Sequence, residues 1–188
     1  GSRAQALSPQ RLMPLHMTAS GRTAATDAPA DASGAAVQAM LAKSYPGTVA
    51  VADLVAESGS AVLPVLYEML AWGRASVATV PVTLGQDDQA RPSLWKVARA
   101  DAASGQPWIT NLVHAPVLLN PLLRVLAPLM DGATTRDQLA DALEAALHSG
   151  VISYTELPRS ENGGAANRIT YTVDRLIAHC VRNALLLP

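Results

Sequence analysis

The stretch NLVHAPVLLNPLLRVLAPLMDGATTRDQLADAL, Asn111–Leu143, decides the fold. Within it Val117, Leu118 and Leu119 form a short apolar run that Asn120-Pro121 brings to an end. Asn accepts the free amides of a helix's first turn, and Pro at the first helical position gives up only an N–H that would be unpaired anyway. The helix expected from Pro121 carries Leu122, Leu123, Val125, Leu126, Leu129 and Met130, with Arg124 as its one solvent-facing position. A helix apolar nearly all round belongs in a core. Asp131-Gly132 stops it, glycine taking the left-handed turn. Thr135 and Gln138 read as a capping box that starts a second helix, with Leu139, Leu143 and Leu147 at four-residue spacing. Helix, tight stop and capped helix make a unit of helix-turn-helix type.

Upstream, Leu12, Met13, Leu15 and Met17 suit a strand or short helix that docks on the body of the chain, and residues 20–33 (SGRTAATDAPADAS) have a linker's composition. A helix from Ala35 runs to Tyr45 and meets Pro46-Gly47. Val49–Val51 suit a short strand, Ala52–Glu57 a short helix. Ser60 is the expected cap of a helix with Val62, Leu63, Val65, Leu66, Met69, Leu70 and Trp72 on its apolar side. Val77, Val80 and Val82 predict a strand over Ala75–Leu84, and Pro81 marks it as an edge. Helix, short strand, helix, helix, strand is the order of a winged helix. The polar run QDDQARP, from Gln86 to Pro92, fits a wing tip or an interdomain loop.

Leu94–Ser104 is predicted helical, with Leu94, Val97 and Ala98 inward. The last helix, from about Ala166 to Leu186, repeats Ile169, Val173, Leu176, Ile177, Cys180, Val181 and Ala184 at the 3.6-residue period. The expected architecture is mainly α with a few short strands, in tandem winged-helix-like or helical modules. Its expected divisions are an N-terminal arm and linker (1–33), a first module (34–92), a connecting helix (93–107) and a second module (108–188).

The composition, 49% hydrophobic and 15% charged, is that of a globular chain, and the absence of Phe leaves Leu, Val, Ala and Met to fill the core. A net charge of −1 argues against a nucleic-acid footprint. A single cysteine excludes an internal disulfide and fits the cytoplasm. The most apolar run, Ala115–Met130, holds three prolines and Arg124 and is too short to span a bilayer, so no membrane partner is expected. Gly1-Ser2 and the missing initiator Met suggest a piece of a longer protein.

Catalytic chemistry finds no constellation. His16, His114, His148 and His179 lack metal spacing, so no metal is expected. His179 and Cys180, adjacent in a helix, diverge by about 100° and cannot pair as base and nucleophile. No glycine-rich loop supports a dinucleotide or adenosylmethionine. Arg168, Arg175 and Arg182, seven residues apart, drift only about 20° per repeat and so share one helix face, either a contact for an acidic partner or a solvated face.

The run from about Ala98 to Leu143, with TNLVH, the apolar strand, LAPLMDG and the capped helix, resembles the C-terminal regulatory region of bacterial protein-lysine methyltransferases. It departs from that family's pattern at Val113 and Ala115, where Arg and Glu often flank the His. The shorter pattern VLLN…MDGATTRDQL resembles small winged-helix domains that grip a peptide between a strand edge and a helix. The first resemblance implies a non-catalytic regulatory or substrate-recognition region, with S-adenosylmethionine bound only by an upstream domain. Partners would be the catalytic domain of the same chain, a protein substrate, or both. A homodimer through the Leu185–Leu187 end or another patch is a further possibility, as is a DNA-binding regulator. The candidate contact residues are Asn111, His114, Val117 and Leu119 at the edge, with Asp131, Gly132 and Thr135 setting the turn.

Overall fold

The computed structural model describes residues 8–20, 32–159 and 165–188. Two compact units divide between Thr83 and Leu84. Both are built from helices and short antiparallel strands.

The first unit contains strand β1 (His16–Ala19), helix α1 (Ala32–Ser44), strand β2 (Val49–Ala50), helices α2 (Val51–Ser58) and α3 (Val62–Ala71), and strand β3 (Ala75–Ala78). The N-terminal arm is no appendage, because β1 is the middle strand of a β2-β1-β3 sheet. His16 and Met17 pair with Ala50 and Val49 on one side, and His16–Ala19 pair with Ala78–Ala75 on the other. Alternation sends Met17 and Ala19 into a core with Val37, Leu41, Leu54, Leu66 and Met69. The middle strand of this sheet thus comes from ahead of the first helix, in the arm where a docking strand or short helix is expected.

Several local expectations need correction in this unit. Val62 follows Ala61 without a side-chain cap from Ser60. Trp72 ends α3 facing solvent at 76% exposure, one residue past the turns that α3 packs inward. β3 stops at Ala78, leaving Val80 exposed. Val82 then returns to Thr48, whose Oγ1 accepts from the Val82 amide at 2.9 Å. The 20–33 linker expectation falls almost wholly outside the described residues.

The second unit contains helix α4 (Lys96–Ala103), strands β4 (Trp108–Thr110) and β5 (Pro116–Leu118), helix α5 (Pro121–Leu126), helix α6 (Arg136–His148) and helix α7 (Ala165–Arg182). The stretch expected as a connector lies in this unit's core, where Leu94, Ala98 and Ala102 are buried, while Val97 faces out. Asn120 Oδ1 caps α5 by accepting from Leu123 N at 2.7 Å. That helix is shorter than expected and tightens into a 3-10 turn over Ala127–Leu129. Pro128 has no N–H to bond the Arg124 carbonyl, and its ring crowds that carbonyl; Leu129 turns outward as a result.

The expected exposed leucine end is also corrected. After α7, Ala184 takes a positive φ of 52°, which turns the chain back. Leu185 and Leu186 then run through the core. Their backbone is fixed by Trp95 N to Leu185 O at 2.8 Å, Gly85 N to Leu186 O at 2.9 Å and Leu187 N to Ser93 O at 2.7 Å.

Candidate functional site

The β4–β5 hairpin presents two large apolar side chains to solvent from neighbouring strands. Its register pairs Trp108 with Leu118, Ile109 with Val117 and Thr110 with Pro116. Strand alternation divides these by face. Ile109 and Val117 are buried, and Leu119 follows them inward. Trp108 (54% exposed) and Leu118 (74%) face out side by side. Val117 and Leu119, candidates for the contact edge, therefore serve the core. Sequence reasoning misses the outward pair, although period-two alternation about an inward Val117 points to Leu118.

Asn111 holds the hairpin. Its buried side chain accepts from Val113 N at 3.1 Å and Ala115 N at 2.7 Å, and donates through Nδ2 to the Asn183 carbonyl at 2.9 Å. His114 lies in the turn with φ 58°, its side chain exposed. The turn is thus fixed by Asn111, whereas the His114 contribution shown is backbone, its N–H donating to Asn111 O at 3.0 Å. Asp101 Oδ2 accepts from Thr110 N at 2.9 Å and ties α4 to the hairpin's other strand.

Asp131, Gly132 and Thr135 shape the entry to α6. The Asp131 carboxylate accepts from Ala133 N at 2.8 Å and Thr134 N at 2.9 Å. Bonds from Thr134 and then Ala133 hold its pKa below the ordinary 3.8. Gly132 has φ 82° and donates to Pro92 O at 3.2 Å. Thr135 Oγ1 accepts from Gln138 N at 3.2 Å, and Gln138 Oε1 accepts from Thr135 N at 2.9 Å. These residues position helices and lie apart in role from the hairpin face.

The three arginines of the row have different surroundings. Arg168 donates to the carbonyls of Tyr154, Leu157 and Pro158, at the wall of a cleft of about 380 Å³ that Tyr154, Thr155, Leu157 and Arg159 also line. Arg175 lies over the Tyr171 ring, 5.8 Å from its centre, and Arg182 is exposed. Asp174, next to Arg175 in the chain, pairs with Arg136 at 2.5 Å. Arg136 also reaches the Asp87 and Gln89 carbonyls, so the QDDQARP loop is fastened to the start of α6. The exposed face of α6 itself carries Asp137, Asp141 and Glu144, which repel a phosphate backbone.

Cys180 is fully buried, and burial pushes its thiol up to about 12. Among the described residues no three His, Cys, Asp or Glu side chains gather as a metal-ligand set. No helix among them is long and apolar enough to cross a membrane.

Fold and site define a mainly helical module of winged-helix type with an outward apolar hairpin. The chain belongs to the family described as PKMT, C-terminal winged helix domain, the protein-lysine methyltransferase C-terminal region, whose model matches residues 90–185. Two solved structures of PKMT2 from Rickettsia typhi share the fold. One, in complex with AdoHcy, aligns with a TM-score of 0.68 at 12% identity, covering 97% of this chain and 44% of that one. The other aligns with a TM-score of 0.69 at 11% identity, covering 98% and 45%. The chain therefore spans less than half the length of either structure. No curated protein sequence matches it.

Proposed function

We propose that this chain is a non-catalytic protein-recognition module of an S-adenosylmethionine-dependent protein-lysine methyltransferase. One observation carries the reading: Trp108 and Leu118 stand as outward cross-strand neighbours on a hairpin whose other face is buried. No Asp, Glu, Lys or Arg occurs between Asp101 and Arg124, so the hairpin itself adds no such charge beside the pair. Tryptophan on an ordered backbone is a favoured binding anchor, because it buries much area and loses little freedom. Asn111 and Asp101 brace the hairpin from both sides, so a partner does not have to order it.

The partner in this reading is the catalytic domain of the same enzyme, a lysine-bearing protein substrate, or both. Binding is by apolar burial, and the cofactor is assigned to the catalytic domain. We take the module to work in the cytoplasm, where an unpaired thiol stays reduced.

Calorimetric titration against the catalytic region, and separately against a lysine-bearing substrate protein, tests this. Binding to at least one is expected, and Trp108→Ala should weaken it about tenfold or more. Absence of heat with both, or binding indifferent to Trp108, overturns the reading.

A further inference from the structure

Three carbonyls of one loop converge on a single guanidinium near the start of α7. Arg168 donates through Nε to Pro158 O at 3.2 Å, and through Nη2 to Tyr154 O at 3.0 Å and Leu157 O at 2.8 Å. These bonds occupy two of its three nitrogens but leave its charge standing, because a carbonyl is a dipole and not a counter-ion. The loop is set by its own capping box, in which Ser153 Oγ accepts from Thr155 N at 3.3 Å and Glu156 Oε2 accepts from Ser153 N at 2.8 Å. Glu156 is thereby turned back on the start of the loop, and it does not line the cleft.

Beside Arg168 the cleft is lined by Tyr154, Thr155, Leu157 and Arg159. Arg159 is exposed and has no hydrogen bond or ion pair among the described residues. No Asp or Glu belongs to the lining, so two cationic side chains border about 380 Å³ of space without a carboxylate to balance them. Leu157 is buried and Tyr154 half-exposed, which gives the same space an apolar floor and an aromatic wall.

A cleft of this size suits a small molecule, and small-molecule sites pair an apolar lining with a few placed polar groups. Two uncompensated cations favour a doubly charged anion over a singly charged one. A carboxylate brings one negative charge. A phosphate monoester brings about −1.5 to −2 at neutral pH, on oxygens that match the guanidinium fork. The rest of such a ligand meets Tyr154, against which a flat ring can stack.

We infer that this cleft binds a small phosphate monoester with a flat apolar body, its phosphate on Arg159 and Arg168 and its body against Tyr154 and Leu157. The site shares no residue with the Trp108–Leu118 face, so it stands or falls independently of the proposed recognition role.

Titration of the chain with phenyl phosphate, followed by calorimetry and by backbone amide shifts in nuclear magnetic resonance spectra, tests the inference. Binding is expected, with shifts centred on Tyr154, Thr155, Leu157 and Arg159, and added salt should weaken it. Benzoate, which keeps the ring with a single charge, and inorganic phosphate, which lacks the ring, should each bind several-fold more weakly. Arg168→Gln frees three carbonyls and is expected to disturb the loop, so the discriminating variant is Arg159→Gln. It removes an exposed side chain without a partner, so melting should hold while affinity falls about tenfold. Tyr154→Ala keeps the carbonyl that Arg168 holds and should cost several-fold in affinity for phenyl phosphate. No binding up to about 10 mM overturns the inference. So does binding that moves other amides, or that is indifferent to Arg159→Gln. Benzoate or inorganic phosphate bound as tightly as phenyl phosphate also overturns it. A phosphotyrosine peptide bound more tightly than phenyl phosphate does the same, because the anion would then belong to a protein.

Discussion

Asn111 and Asn183 are joined across 72 residues of sequence by a 2.9 Å hydrogen bond from the Asn111 side-chain amide to the Asn183 carbonyl. The same buried side chain closes the hairpin turn, so one residue sets the turn and fastens it to the segment after α7. Leu112 N to Ala184 O, at 2.8 Å, runs beside it.

Replacing Asn111 tests that junction. Asn111→Ala leaves the Val113 and Ala115 amides and the Asn183 carbonyl without their partner, a loss expected to cost about 2–3 kcal/mol. Asn111→Asp can still accept the two amides. It cannot donate, however, and when ionised its carboxylate faces a carbonyl, so its stability should fall as pH rises through the carboxylate range. Urea unfolding of the two variants measures both effects. Values within about 0.5 kcal/mol of the parent would remove Asn111 from this role.

Features legible in the sequence are those whose cause lies within a few residues. Asn120 before Pro121, Thr135 with Gln138, and the apolar period of α7 each announce themselves locally, and each is present. Pro128 is equally visible, but placing the stop at Gly132 makes α5 too long. Features set by distant pairing are illegible. Nothing in HMTA says it lies between β2 and β3, and nothing in LLLP says it enters the core rather than solvent. At the candidate site the right segment stands out, but its apolar run does not by itself separate the two faces of β5. Contact is therefore expected of Val117 and Leu119, which the hairpin buries.

Gly85 tests the packing of the C-terminal segment. A Cβ placed there would overlap the Leu187 carbonyl, a backbone group that cannot swing aside. Gly85 N also donates to Leu186 O at 2.9 Å, which holds the two segments close. Gly85→Ala should therefore destabilise the second unit by about 2 kcal/mol or more, as overpacking does where the neighbour is rigid. A thermal melt unchanged by the substitution would show that the segment has room to move.

Cys180 should be inert in the folded chain. Only the thiolate attacks an alkylating reagent, and burial raises this thiol to about 12 while also shutting the reagent out. Iodoacetamide at neutral pH should leave the native protein unmodified and label it once in denaturant. Mass spectrometry reads the difference. Rapid native labelling would place the thiol outside the core.

The pH dependence of stability should turn on His179. Its ring is half-buried, with Nε2 3.3 Å from Asn183 Nδ2. Burial first, and the Arg182 charge second, lower its pKa from the ordinary 6.5. The unfolded chain therefore takes up a proton at a pH where the folded chain does not. Stability from this group is complete above 6.5, declines as pH falls through that value, and levels off below the folded pKa. Asp131 has the opposite charge but the same direction of loss. Its lowered pKa contributes stability above 3.8 that disappears as pH falls further, so the two losses occupy separate windows. Urea midpoints at about pH 8 and about pH 5 isolate the histidine. His179→Gln should flatten the profile between them, and Arg182→Gln should flatten it less, because burial is the larger cause. An unaltered slope in His179→Gln would assign the loss to another group.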